Sequence, residues 1–320
     1  MPVNAQAWQD FYQDRAVIVL GGAGFLGSHL VERLVGLGAR VTVVDALIPG
    51  SGGRLDNLAG VISRIHFVQA NYGDISAWSS ALEPGCIVFH CAAFNTHRWC
   101  NEHPEQDARW NYLPNCALAE LFHRLSFSVR LLYASSRTVY PRSSARIVTE
   151  RHPVAPSDVY SLHCWASEQL LTQLLGSYHA VLLLRLSHLY GPRQRLQGVE
   201  IGFMGELLRA ALSGEPYELF AKGEVYRDVL YVGDAVEIFL RLGAHWVTGV
   251  FNVPGAYVSA RTIAQMLESL CGWSSYRLVE TPALSFPRLS GRKLREVLGQ
   301  LLQTPLREAL WTTLQALQRC

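Results

Sequence analysis

The chain has 320 residues, 49% of them hydrophobic and 17% charged, which excludes a disordered chain and allows a large core. A formal net charge of +2 gives no electrostatic reason to expect nucleic acid or an anionic membrane as partner. The cysteines Cys86, Cys91, Cys100, Cys116, Cys164, Cys271 and Cys320 lack CxxC spacing, so they are expected as reduced, mostly buried thiols rather than a disulfide framework or a metal site.

Near the N-terminus, Trp8, Phe11 and Tyr12 share one helical face and predict a short helix. That region carries Asp10 and Asp14 and no apolar run of signal-peptide type. No later stretch has roughly eighteen uninterrupted apolar residues, so a cytoplasmic protein without a membrane span is expected. Apolar runs then recur at 16–20 (AVIVL), 40–45 (RVTVVD), 65–70 (IHFVQA), 86–90 (CIVFH), 130–136 (RLLYASS) and 180–187 (AVLLLRLS). Continuous runs mean strands covered on both faces, and the helical stretches between them predict βαβ crossovers in an α/β, Rossmann-type doubly wound parallel sheet. Residues 1–187 are expected to form this dinucleotide-binding domain, with a contribution from about 226–255. Residues 188–320, with shorter elements and frequent turn signals, are expected to form a smaller substrate-binding lobe over the carboxyl ends of the strands.

The first run leads into Gly21-Gly22-Ala23-Gly24-Phe25-Leu26-Gly27-Ser28 and then a helical stretch. Glycines at this strand-to-helix turn let the backbone bend sharply and let a pyrophosphate approach helix N-terminal amides, so Gly21, Gly24, Phe25, Leu26 and Gly27 are candidate cofactor contacts. The second run ends in Asp45, where a carboxylate can take both hydroxyls of an adenosine ribose and repel a 2′-phosphate, favouring NAD over NADP. Asp74 is either an adenine contact or a helix cap. Ala92 and Ala93, in His90-Cys91-Ala92-Ala93, are small enough for the backbone to lie against the cofactor.

These segments resemble the extended short-chain dehydrogenases/reductases and, within them, the NAD-dependent nucleotide-sugar epimerases and dehydratases, over about residues 15–315. YASSRTVYP (133–141) is similar to the family segment that carries an active-site serine or threonine, which places that role on Ser136. Tyr160 matches the tyrosine of YxxxK, which also lies against the cofactor. LRLSHLYGPRQ (184–194) and YRDVLYVGDAVE (226–237) resemble two motifs of the substrate lobe, and the second makes Arg227 the candidate for a nucleotide diphosphate. The resemblance implies NAD as cofactor, a nucleotide-sugar or related small molecule as substrate, and a homodimer through helices around 104–125 and 157–178. The S-x-T-V-Y pattern is most like a sugar 4-epimerase or a ketoreductase. Neither the acid pair of the dehydratases nor the glutamate of the decarboxylases follows Ser136.

Two departures bear on the chemistry. Cys164 stands where YxxxK has lysine, and His188 stands where the family usually has asparagine. A phenol with a pKa near 10 is about one part in a thousand ionised at pH 7, and a cation nearby lowers a pKa by about 1–3 units. Without the lysine, roughly 10- to 1000-fold less tyrosinate is expected. Lys222 and Lys293 are the only lysines in an arginine-rich chain, but a general drift to arginine would leave arginine at 164, not cysteine. His163, at i+3 from Tyr160, is one candidate acid or base, and Cys164 itself is another. His97, Arg98 and His188 are candidates to line the substrate pocket. The rival readings are an NAD-bound scaffold or sensor without catalysis, and a non-redox lyase or isomerase that holds NAD structurally.

Overall fold

The computed structural model describes residues 7–141, 147–198, 200–282, 286–301 and 303–318. Its centre is a seven-stranded sheet made of β1 (Ala16–Leu20), β2 (Arg40–Asp45), β3 (His66–Gln69), β4 (Ile87–His90), β5 (Arg130–Ser136), β6 (Ala180–Leu186) and β7 (Gly249–Val253). The order is β7-β6-β5-β4-β1-β2-β3, and every neighbouring pair is parallel. The chain thus winds outward in both directions from β1, and the switch between β1 and β4 opens a crevice at the carboxyl ends of the strands.

Both faces of the sheet are covered, as the continuous apolar runs require. Val17, Val19, Val41, Val43 and Phe89 pack on one side against α1 (Phe25–Gly36) and the later helix Val232–Ala244. Ile18, Leu20, Val88 and Leu131 pack on the other side against α2 (Leu113–His123) and α3 (Val159–Leu175). The N-terminal helix, Ala7–Asp10, buries Trp8 and the following Tyr12, whose hydroxyl donates to Leu240 O at 2.7 Å. A separate apolar cluster joins the helices Gly202–Ser213, Ala260–Cys271 and Leu306–Gln318. Beside them, the strands His188–Tyr190, Tyr226–Tyr231 and Ala256–Ser259 form a three-stranded sheet.

Cys86, Cys100 and Cys164 are buried, Cys91 and Cys116 half-buried, and Cys271 exposed, all as free thiols; Cys320 lies outside the described residues. Among the described residues no helix is long and apolar enough to cross a membrane.

Candidate active site

The glycine turn between β1 and α1 is shaped by close backbone contacts. Gly21 has φ +75°, and a Cβ there would lie 2.5 Å from Ala92 N and Cα. A Cβ on Gly27 would lie 2.2 Å from Gly21 O. Only glycine fits either place, and the turn leaves a groove lined by Gly21, Gly24, Asp45, Asn71, Tyr72, Ala92, Ala93 and Phe94, among others. Asp45 closes one end of it, with Oδ2 accepting from Ala23 N and Oδ1 from Leu47 N, both at 2.9 Å. Burial acts to raise its pKa, and the two amide hydrogen bonds oppose this.

Other sequence candidates sit differently. Leu26 packs its side chain into the core and the Phe25 ring lies edge-on to His29, both in the first turn of α1, which begins beside the groove residue Gly24. Asp74 is exposed, accepts from Ser76 Oγ at 2.9 Å and stands outside the groove. The groove is reached instead by Asn71 and Tyr72, just past the end of β3, because the chain turns away before it reaches Asp74. The Tyr72 hydroxyl is buried without a hydrogen-bond partner among the described residues, on the side of Cys164 and Cys116.

Helix α3 carries the tyrosine. Asp158 caps it, its Oδ1 accepting from Ser161 N at 2.8 Å, which fixes where the first turn begins. Tyr160 is buried in a cluster with Phe94, which lines the dinucleotide groove, and with Tyr140 and Leu289, which line a second cavity of about 490 Å³. Its packing cluster thus includes wall residues of both, while Tyr160 itself lines neither. One turn on, the Cys164 thiol sits against the phenols of Tyr160 and Tyr133, and Tyr72 approaches the same place. Burial, then the neighbouring thiol, pushes the Tyr160 pKa well above the ordinary phenol value; no cation lies among the leading influences on it. Burial pushes the Cys164 thiol up to about 12. The place expected for an ammonium is filled by neutral groups.

Farther along α3, Glu168 forms a fully buried ion pair with Arg185 of β6 (Nε to Oε1, 2.9 Å) and also accepts from Ser135. Arg185 in turn donates to Tyr140 Oη at 2.8 Å, and Tyr140 donates to Asn252 Oδ1 at 2.9 Å. This network pins the helix to the sheet. His163 does not line either cavity; it pairs with the buried Asp107 and stacks on Tyr112, which commits it to joining α3 to the Pro104–Asp107 turn.

The second cavity is lined by His97, Arg98, Arg137, Thr138, Tyr140, Asp158, His188 and Phe286, among others. Ser136, at the end of β5, accepts from Thr138 N at 3.1 Å and shares a 2.8 Å hydrogen bond with Thr138 Oγ1. Of the pair, Thr138 lines the cavity. Arg137 Nη2 lies 3.1 Å from His188 Nε2, and burial together with the charges of Arg137 and Arg227 holds the His188 imidazole well below its ordinary pKa. Arg227 is on a strand, its guanidinium 3.5 Å from the ring centroid of Phe286. Its neighbour Asp228 is occupied by Gly255 N and Leu289 N, at 2.6 and 2.9 Å. Sequence reasoning missed Arg137, Asp158 and Phe286. The first two flank flagged residues, whereas Phe286 is brought in from a distant loop.

The groove, the carboxylate at its end and the second cavity beside them match a known pattern: the model of the NAD dependent epimerase/dehydratase family matches residues 17–253. The chain belongs to that family. A UDP-glucose 4-epimerase of Mycolicibacterium smegmatis is 31% identical over 313 residues, covering 93% of this chain and 97% of the relative. The UDP-glucose 4-epimerase of Thermotoga maritima, solved with UDP-glucose, superposes with a TM-score of 0.84 at 26% identity, over 95% and 98% of the two chains. That of Thermus thermophilus, solved with NAD, gives 0.80 at 26%, over 94% and 98%. The family is one of NAD-dependent epimerases and dehydratases, and NAD is the cofactor here. The fit is physical as well as familial: the glycine cradle and the Asp45 carboxylate both suit a dinucleotide in the groove.

Proposed function

We propose that the protein is a sugar 4-epimerase acting on a UDP-hexose, with Ser136 and Tyr160 hydrogen-bonding the reacting hydroxyl. The observation that carries this reading is the cavity of about 490 Å³, lined by Arg98, Arg137, Asp158 and Glu200 among others, whose wall residues Tyr140 and Leu289 pack in one cluster with Tyr160 and the groove residue Phe94. The names of the relatives at 26–31% identity support UDP-glucose or its epimer as the substrate.

Gly21, Gly24 and Gly27 hold the pyrophosphate against the start of α1, and Asp45 takes the adenosine ribose hydroxyls. Asn71 and Tyr72 lie alongside the adenosine half, and Ala92 and Ala93 let the cofactor approach the backbone. NAD, when bound, supplies the carbon that takes hydride from the sugar and returns it. Arg227, its plane fixed by Phe286, binds the substrate diphosphate, with His188 beside it as a neutral hydrogen-bonding group. Ser136, oriented by Thr138, donates to the sugar oxygen. Tyr160 does so as a neutral phenol. Residues 188–320 serve as the substrate lobe, while 226–255 contributes to the dinucleotide domain. The exposed Leu113 on α2 and Leu162 on α3 support a homodimer through those helices, and the cytoplasm is its proposed location.

Mass spectrometry of the purified protein should find bound NAD. Incubation with UDP-, GDP- and dTDP-linked hexoses, followed by chromatography, should show interconversion of UDP-glucose and UDP-galactose. A protein that binds no dinucleotide, or turns over no UDP-hexose, contradicts the reading.

A further inference from the structure

Two His–Asp pairs flank Tyr160, and they differ in what they face. His163 and Asp107 leave side-chain exposures of 17% and 0%, whereas His97 and Asp158 leave 38% and 18% and both line the substrate cavity. Asp158 divides its oxygens: Oδ1 accepts the amide of Ser161 at the head of α3, and Oδ2 lies 3.1 Å from His97 Nδ1. The His97 ring meets the Tyr160 ring edge-on, with centroids 4.9 Å apart. With Nδ1–H donated to a fixed carboxylate, a neutral imidazole carries its lone pair on Nε2. Among the described residues no hydrogen bond occupies that atom.

We propose that His97, oriented by Asp158, is a catalytic residue that accepts the proton of the sugar hydroxyl, the task a tyrosinate would otherwise perform. The proposal rests on the 4-epimerase reading and names its base. In the step, the hydroxyl O–H bond breaks and an Nε2–H bond forms. The oxygen keeps the bonding pair, which becomes the carbonyl π bond as the hydrogen on the adjoining carbon leaves with its electrons, the part of the reaction assigned to NAD. The reverse transfer from the imidazolium restores the hydroxyl, so the cycle leaves His97 as it began.

The surroundings are arranged for this. The Asp158 carboxylate faces the imidazolium as it forms, and burial, which acts to raise its pKa, is outweighed by hydrogen bonds from His97 and Ser161 that hold it below the ordinary aspartate range. Arg98 and Arg137 line the same cavity, with Glu200 and the neutral His188, and supply positive charge for the oxygen that loses its proton. Tyr160, held protonated beside Cys164, remains a hydrogen-bond donor. A triad-like histidine thus takes over the proton where the sequence has removed the lysine.

The test uses the NAD-loaded full chain. His97→Ala is expected to keep its NAD and its affinity for UDP-glucose, to lose at least about 100-fold in kcat, and to recover part of it with added imidazole. Asp158→Asn keeps an oxygen for the helix cap and is expected to lower kcat with little change in KM. Independently of turnover, diethyl pyrocarbonate modification mapped by mass spectrometry should label His97, and UDP-glucose should shield it. Turnover by His97→Ala within about threefold of the parent overturns the proposal, as does loss without imidazole rescue in a protein that retains NAD, or a His97 that UDP-glucose does not shield. If the parent turns over no nucleotide sugar while UDP-glucose still shields His97, the reaction assigned above is wrong and the contact is supported.

Discussion

The dinucleotide groove and the head of α3, which carries Tyr160, answer the same fold in opposite ways. In the groove each position is set by backbone geometry: a Cβ on Gly21 or Gly27 meets backbone atoms at 2.5 or 2.2 Å, so no substitution is tolerated. At the head of α3 the constraint is electrostatic, and there the protein has exchanged a cation for a thiol among three phenols. Steric requirements survive in the sequence because nothing else meets them, whereas a charge can be supplied by other residues in other places.

The comparison is sharpened first by Glu168→Gln, which leaves Arg185 as a buried unpaired charge. A loss of about 3–5 kcal/mol in urea unfolding is expected, showing that the rear of α3 is as rigidly specified as the groove even though its head is not. Cys164→Lys comes next. An ammonium must displace Tyr72 or Tyr133, so about 1–3 kcal/mol of stability should be lost, while the phenolate fraction of Tyr160 rises about 10- to 1000-fold. Unchanged stability would mean that the site still holds room for the lysine. Asp45→Asn keeps the shape and removes the charge. Isothermal titration should show NAD binding about 10-fold weaker, from loss of a charge-assisted hydrogen bond, and a smaller preference over NADP.

A further effect is in pH. Burial holds the His90 imidazole down to about 4, although Asn115 hydrogen-bonds it at 2.8 Å. In the unfolded chain it regains a value near 6.5. Between these values the unfolded state binds more protons, so stability falls as pH drops from about 6.5 toward 4. Replacing His90 with Asn should flatten that slope in acid-unfolding curves.

The strands were legible because burial on both faces writes a continuous apolar run: β1, β2 and β5 match the runs residue for residue. The glycine turn and Asp45 were legible through their spacing along the chain. For Asp74 the sequence left an adenine contact and a helix cap open; it stands at the start of Ile75–Ala77, while Asn71 and Tyr72 line the groove. The pairing of His97 with Asp158 and the stacking of Phe286 on Arg227 join residues far apart in sequence, and no local pattern records them. His163 showed the converse: helical spacing put it near Tyr160, and only packing revealed that Asp107 holds it.

The central claim is that Tyr160 works as a neutral phenol because the group beside it is a thiol. Ultraviolet difference titration of phenolate in the NAD-loaded protein, with Tyr160→Phe as the reference, measures this directly. The account predicts no phenolate assignable to Tyr160 below about pH 10. A phenolate that titrates near pH 7 and vanishes in Tyr160→Phe would contradict it.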